Sequence, residues 1–262
     1  MNRPTLWGHL GALWVLAVFV GLWWCASHGG WVSKVFLPTP EATWSSLLQG
    51  LNLAPVEPGG TPGELAGFTA STVERMVLGW LLASFVGMAL GALIGMSSTA
   101  RTWIQPTLEF VRPLPASAVV PLAISIFGLS PTMVLCVVAF GAMWPVLLAT
   151  VHGFASVEPR LREVAAALQM GRWAFVWKVG LPSTMPDILS GMRLSMTVSL
   201  IVSVVGEMIA SQSGLGQAIL LAARSFRASE LFAGIVLLGL IGFVSNALLG
   251  MAERRLLRWQ TP

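Results

Sequence analysis

The chain has 262 residues, of which 55% are hydrophobic and only 10% charged, with a formal net charge of +4. Its mean hydropathy is +0.78; a soluble domain of this length has no use for so much apolar surface, so the solvent it is built for is lipid. The basic residues are dispersed at the ends of apolar runs, which argues against a nucleic-acid patch. Cys25 and Cys136 each sit inside an apolar run, as small packing residues and not as a disulfide or a metal site.

Leu10 to Ser27 is long enough for one span. It is long for the apolar core of a cleaved signal peptide, so an uncleaved first span is expected. Gly29 to Thr69 is a polar interlude. Thr39-Pro40-Glu41 predicts an N-cap with proline at the first helical position. Val56 to Gly63 reads as a loop, and Thr61-Pro62-Gly63-Glu64 has capping-box spacing, so two short extramembrane helices are expected. Met76 to Ala100 carries no charge apart from its flanks and predicts the second span. Gly79, Ala83, Gly87, Gly91 and Gly95 recur along it every four residues, a face that lets another helix backbone come close.

Ile104 to Phe127 predicts a third span, holding Glu109, Arg112, Pro113, Pro115 and Pro121. Ser130 and Pro131 open a fourth, which runs to Phe154 with a kink expected at Pro145. Asp187 to Ser211 is the fifth, with Arg193 and Glu207 inside it, broken by Ser213-Gly214-Leu215-Gly216. Leu231 to Met251 is the sixth, closed by Arg254, Arg255 and Arg258. Trp is plentiful and suits the two membrane interfaces.

Between the fourth and fifth spans lies the longest charged segment, Glu158 to Pro186. Pro159 suits the first turn of a helix. Glu158 and Arg162 are four apart with the acid first, the better order for a helical pair. Leu161, Val164 and Leu168 make one apolar stripe, and Ala165, Ala166 and Ala167 keep the helix slim. Such a helix is either an ordinary surface helix or a plug for a groove on another protein.

With both termini inside, nine basic residues (Arg3, Arg101, Arg160, Arg162, Arg172, Lys178, Arg254, Arg255, Arg258) fall on the cytoplasmic side and four (Lys34, Arg75, Arg224, Arg227) outside. The positive-inside rule favours that orientation and makes the charged segment cytosolic. Lys34 and Lys178, the only lysines, follow Ser and Trp, so the chain has no G-x-x-x-x-G-K-[ST] loop and any ATP chemistry belongs to another subunit. His9, His28 and His152 fall near span ends without a Cys, Glu or His partner, and Ser213 lacks the first Gly of a G-x-S-x-G elbow. No catalytic or metal-binding set is therefore expected.

The charged segment resembles the cytoplasmic loop of ABC importer permeases, E-A-A-x-x-x-G followed ten residues after the Gly by I-x-L-P. Glu163, Ala165, Leu181 and Pro182 match it, Val164 and Val179 are near matches, and Gln169 stands where the motif has Gly. Gly171, two residues on, is a candidate to take over the turn. Phe36-Leu37-Pro38-Thr39-Pro40-Glu41 looks like the entry segment of permeases in the nitrate/sulfonate/taurine class. Glu109-Phe110-Val111-Arg112-Pro113-Leu114-Pro115, Pro121 and Phe127-Gly128 are similar to that class's third span, and Arg172-Trp173, Pro186, Gly191, Arg193, Glu207 and Gly214-Leu215-Gly216 continue the likeness.

The resemblance implies an all-α integral membrane protein of about six transmembrane helices, with a type I (MetI-like) permease core and a cytoplasmic coupling helix. It divides the chain into an N-terminal span with a periplasmic segment (1–69), a permease core (70–252) with its coupling loop (156–183), and a cytoplasmic tail (253–262). It implies a permease homodimer in a bacterial cytoplasmic membrane, two ATP-binding subunits that hold ATP and Mg, and an external substrate-binding protein, periplasmic or lipid-anchored. The permease itself would carry no cofactor. Contact with the ATPase is expected from Glu163, Ala165, Ala166, Leu168, Gln169, Gly171 and Arg172. In that contact the slim alanine face enters the groove, Leu161, Val164 and Leu168 give apolar contact on the other side, and Glu163 sits at the rim or bridges to a basic group.

The ionisable groups inside spans, Glu109, Arg112, Arg193 and Glu207, are costly in hydrocarbon and should face a cavity or one another. Glu109 and Arg112, three apart, are placed to neutralise each other. Two readings stand: ion pairs that fix helix packing, or a translocation pathway for a small anion such as a sulfonate, taurine or nitrate. A self-contained secondary transporter is the alternative, disfavoured because no internal repeat is visible. A membrane-embedded enzyme is disfavoured by the missing catalytic sets.

Overall fold

The computed structural model describes residues 6–30, 32–55 and 63–258, and every regular element in that part of the chain is helical. Four helical stretches are long and apolar enough to cross a membrane, and a bent helix pair makes a fifth. A further helix, α1 (Leu6–His28), has 23 residues and no Asp, Glu, Lys or Arg, the length of another crossing. The chain separates into two compact units, Met1–Thr69 with Gln217–Gly239, and Ala70–Gly216 with Leu240–Pro262.

In the first unit, α1 leads to α2 (Pro40–Gly50), which begins as its sequence predicts. The Thr39 hydroxyl accepts a hydrogen bond from the Ala42 N–H at 3.2 Å, and Pro40 takes the first turn. Two tryptophans tie the end of α1 to this segment. The Trp23 indole donates to the Pro38 carbonyl and the Trp24 indole to Glu41 Oε1, both at 2.9 Å. The Glu41 carboxyl is held below the usual carboxylate range, first by its own backbone N–H, then by the Thr39 hydroxyl and the Trp24 indole.

Thr61 and Pro62 of the expected capping box lie outside the described residues. Glu64 does not open a second short helix; it begins α3 (Glu64–Gly95), which runs unbroken for 32 residues. Helix α3 starts a dozen residues before the expected second span because nothing after Gly63 interrupts it: neither Pro nor Gly-Gly intervenes before the apolar run. Its end is also earlier than expected. The Ser97 hydroxyl accepts from the Ala100 N–H and starts a new helix, α4 (Ser98–Val111).

The core of the second unit is α5 (Ala116–Phe127), α6 (Pro131–Ala155) and α9 (Leu181–Ala210), with α6 and α9 packed along one another. Val120, Val134, Val138 and Val202 are among the side chains buried at their meeting. The Ser130 hydroxyl caps α6 through the Met133 N–H, and α6 continues through Pro145. The expected third span is not one helix. Helices α4 and α5 meet at 90° across Arg112–Pro115, where Pro113 and Pro115 supply no N–H to carry a helix on.

Between α6 and α9 come α7 (Pro159–Ala167), α8 (Arg172–Phe175) and a π-helical turn, Val176–Gly180. The π-turn leads straight into α9 at Leu181-Pro182, so the fifth span begins before Asp187 and carries Pro186 inside it. The widened turn lets the chain meet Pro182, which has no N–H to donate, without ending the helix. Helices α10 (Leu215–Arg224) and α11 (Ala228–Leu256) complete the fold.

The small-residue face of α3 packs on α6. A methyl group added at Gly91 would lie 2.6 Å from Thr150 Cβ and 2.8 Å from the Leu147 carbonyl; one at Gly95 would lie 2.7 Å from Phe154 Cβ. At Gly67, also on α3, a methyl would meet nothing within 4 Å. We predict that Gly91→Leu lowers thermal stability in detergent by at least the ~1–3 kcal/mol typical of overpacking, while Gly67→Ala leaves it unchanged or raised. Equal melting temperatures for wild type and Gly91→Leu would show that the small face is incidental.

Candidate functional site

Two regions gather the residues that the sequence singles out: the ionisable groups within the spans, and the charged segment around α7. The four span charges meet different fates.

Glu207, on α9, is wholly buried. Its two carboxylate oxygens accept from the Thr72 hydroxyl at 3.0 Å, from Arg75 Nη1 at 2.7 Å and from the Gly216 N–H at 2.9 Å. Arg75 donates also to the Ser213 carbonyl at 2.6 Å, and the Leu215 N–H donates to the Thr72 hydroxyl. Gly214 and Gly216 are required by this closure, since a Cβ at Gly214 would fall on the Glu207 carboxyl carbon and one at Gly216 on the Val204 carbonyl. Glu207 therefore lies in a closed cluster and lines no cavity among those found in the described residues. Arg75 is not an outer-loop cation but a partner inside α3.

Arg193 is ion-paired with Glu253 near the end of α11 and borders a cavity of about 260 Å³. Glu109 is exposed and accepts from the Gln105 side chain at 2.9 Å, one turn back. It makes no ion pair with Arg112 among the described residues. Arg112 keeps helical geometry at the end of α4, its N–H on the Leu108 carbonyl, so the i,i+3 placement is present but the two side chains do not meet. Arg112 instead borders a cavity of about 480 Å³ walled by α5, α6 and α9. Among the described residues, no group of three or more His, Cys, Asp or Glu is placed to hold a metal ion.

Around α7, Pro159 occupies the first turn as expected. The helix ends in a Schellman motif, with the Met170 N–H on the Ala165 carbonyl at 3.0 Å and the Gln169 N–H on the Ala166 carbonyl at 2.9 Å. That motif needs a left-handed residue, and Gln169 supplies it with φ of 48°. Gly171 does not take over the turn; its φ is −63°. Glu163, Val164, Ala166, Leu168 and Arg172 are exposed, whereas Ala165 is buried, with 5% of its surface accessible.

Ala165 thus turns inward, and the open apolar surface of α7 is the Leu161, Val164 and Leu168 stripe. The expected approach of a partner to the alanine face is corrected at that position: it packs against this chain. Arg162, expected to pair with Glu158, makes no ion pair with it among the described residues and instead reaches back to the last carbonyls of α6, donating to Phe154 at 2.7 Å and Ala155 at 3.3 Å. The signal was there in part, since an Arg one turn into a helix that follows a span is placed to meet that span's final carbonyls.

The described residues hold four helices, or five with the bent pair, long and apolar enough to cross a membrane, as a multi-pass membrane protein requires. The family profile described as binding-protein-dependent transport system inner membrane component matches residues 83–258, and the chain belongs to that family. A Bacillus subtilis permease named for aliphatic sulfonates transport, SsuC, is 33% identical over 97% of this chain and 89% of its own length. The taurine transport system permease TauC of Escherichia coli is 30% identical over 93% and 87%. The nitrate import permease NrtB of Leptolyngbya laminosa is 31% identical over 71% and 67%.

Among solved structures, the inward-facing MetNI methionine ABC transporter aligns with a TM-score of 0.65 at 17% identity, covering 76% of this chain and 97% of its own. An amino acid ABC transporter aligns at 0.58 and 22% identity, over 74% and 94%. The fold is the MetI type expected. The chain is a permease component of an ABC importer, of the sulfonate, taurine and nitrate class. ATP is bound and hydrolysed by a separate subunit, and the permease carries no cofactor of its own.

Two outcomes follow from the geometry. Removing one partner of a buried ion pair costs about 3–5 kcal/mol, so Arg75→Ala and Glu207→Ala should each destabilise the protein strongly. The double variant should lose much less than the sum, because neither charge is then left alone; additive losses in thermal unfolding would show that the pair is not coupled. Gln169→Gly should stabilise the protein by up to about 1 kcal/mol, since glycine enters the left-handed region freely. A lower melting temperature would mean that the Gln169 side chain contributes more than its backbone costs.

Proposed function

We propose that this permease pairs with a second copy of itself in a bacterial cytoplasmic membrane and imports a small anion, an aliphatic sulfonate or a close analogue. Helix α7 is its coupling helix, docked on the ATP-binding subunit. The observation that carries the coupling role is the open Leu161, Val164 and Leu168 stripe on a helix held from behind by Ala165 and Arg162. It is an apolar face outside the spans, suited to a groove on another protein.

Both termini are cytosolic in this reading. With α9 and α11 crossing in succession, α7 and the C-terminal arginines share one side, and the basic excess supports a cytosolic assignment for that side. The substrate-binding protein then delivers its ligand to the opposite face. The homodimer is supported by α4, none of whose residues is buried within the chain. Its exposed Thr102, Gln105 and Glu109 are costly against lipid and call for a protein neighbour or an aqueous path. Within the loop, Glu163 and Arg172 supply the charged rim of the contact, Ala166 and Leu168 its surface, Gln169 the turn that follows and Gly171 the start of α8.

Leu168→Glu places a carboxylate in the centre of the proposed contact and should reduce co-purification of the ATPase and abolish substrate-stimulated ATP hydrolysis. The permease should still insert, because Leu168 is 69% exposed. Ala165→Trp is a poorer probe, since it would unseat α7 from the permease itself. A Leu168→Glu complex that forms and couples like wild type would remove α7 from the coupling role.

A further inference from the structure

We propose that the cavity beside the α4–α5 bend is an intramembrane anion subsite, selective for a singly charged anion carrying a short aliphatic chain and unfavourable to zwitterions. The proposal rests on the import reading above and names the substrate class that this site accepts.

The cavity, about 480 Å³, is within the ~300–1,000 Å³ usual for small-molecule sites. Its one charged lining residue is Arg112, and Ser117 adds a hydroxyl at the same bend. Among the described residues the Arg112 guanidinium has no hydrogen-bond or ion-pair partner, while each of the other three span charges is engaged by a side chain. The guanidinium is exposed at the edge of the cavity, and a bound anion supplies a counter-charge in the planar, forked geometry that guanidinium favours.

Trp144, also on the wall, carries a buried indole N–H with no acceptor. The remaining walls are apolar, with Leu148, Leu194 and Val198 among them, and no Asp or Glu lines the space.

Those walls decide between chemistries. An alkyl chain gains by entering them. An ammonium group would lose its hydration and find no carboxylate in return. A sulfonate with an aliphatic tail therefore uses both ends of the site. An aminosulfonate zwitterion is penalised at one end, and an inorganic anion such as nitrate uses only the other.

The test uses the permease–ATPase complex in nanodiscs, without a binding protein, and radiolabelled 1-butanesulfonate as probe. Saturable binding is expected, competed by unlabelled 1-butanesulfonate and far less by taurine or nitrate. Arg112→Gln should bind about tenfold to a hundredfold more weakly, the loss of one charge-assisted contact, and Arg112→Lys should recover part of that loss. Gel filtration of each complex identifies a variant that has not assembled, and the lysine variant then carries the comparison. Absence of saturable binding to wild type, unchanged binding in Arg112→Gln, or equal competition by taurine would each overturn the subsite. Failure of the import reading is separate: it is seen as ATP-dependent uptake of no solute by wild-type proteoliposomes supplied with binding protein.

Discussion

A carboxylate with no access to water must be neutralised where it lies, and Glu207 is neutralised by two other stretches of chain. Thr72 and Arg75 come from α3, and the Gly216 N–H comes from the start of α10. The carboxylate's acceptor capacity is thus spent on donors that the chain must bring within about 3 Å. Break any one and a charge or a donor is stranded in a low-dielectric interior. The cluster stops α9 at a left-handed Ser211, turns the chain through Ser213–Gly214, and fixes where α10 can start. Glycines at 214 and 216 are consequences of this closure, because no side chain fits where the carboxylate already is.

The same constraint sorts the span charges by whether the chain itself neutralises them. Arg193 with Glu253 and Arg75 with Glu207 are ion-paired within the chain, although the buried Arg193 Nε has no hydrogen-bond partner. They hold helices in place and offer little net charge to a ligand. Arg112 is different: it has no partner among the described residues, ends α4 in helical geometry just before the 90° bend, and borders the cavity.

Much of this fold is legible from local signals. Thr39 with Pro40 and Ser130 with Pro131 mark their helix starts because a cap and a first-turn proline act within four residues. The glycine face of α3 is readable because its period is that of the helix. The misses share a cause, which is distance along the chain. Arg75 and Glu207 are 132 positions apart, so nothing local pairs them. The π-turn at Val176–Gly180 has no composition of its own, and Ala165 faces inward only because α7 is clasped to α6 by Arg162. At Gln169 the motif position was legible but its residue was misleading: the turn stays where glycine would put it, and Gln takes up the left-handed conformation. Tertiary closure overrode a preference of about 1–2 kcal/mol.

In the coupling role proposed for α7, these attachments define what can move together. Arg162 holds α7 to the last carbonyls of α6, and Ala165 is packed behind it. At its other end, the loop runs through α8 and the π-turn directly into α9, with no unstructured residue between Arg172 and Ala210. A displacement of α7 is thus delivered to both α6 and α9. Those two helices are packed along each other and together form most of the wall around the cavity that Arg112 borders. A stiff connection of this kind moves helices as bodies, because close-packed interiors resist local deformation. The wall that would have to open for an anion to leave is therefore the one mechanically tied to the helix that faces the ATPase.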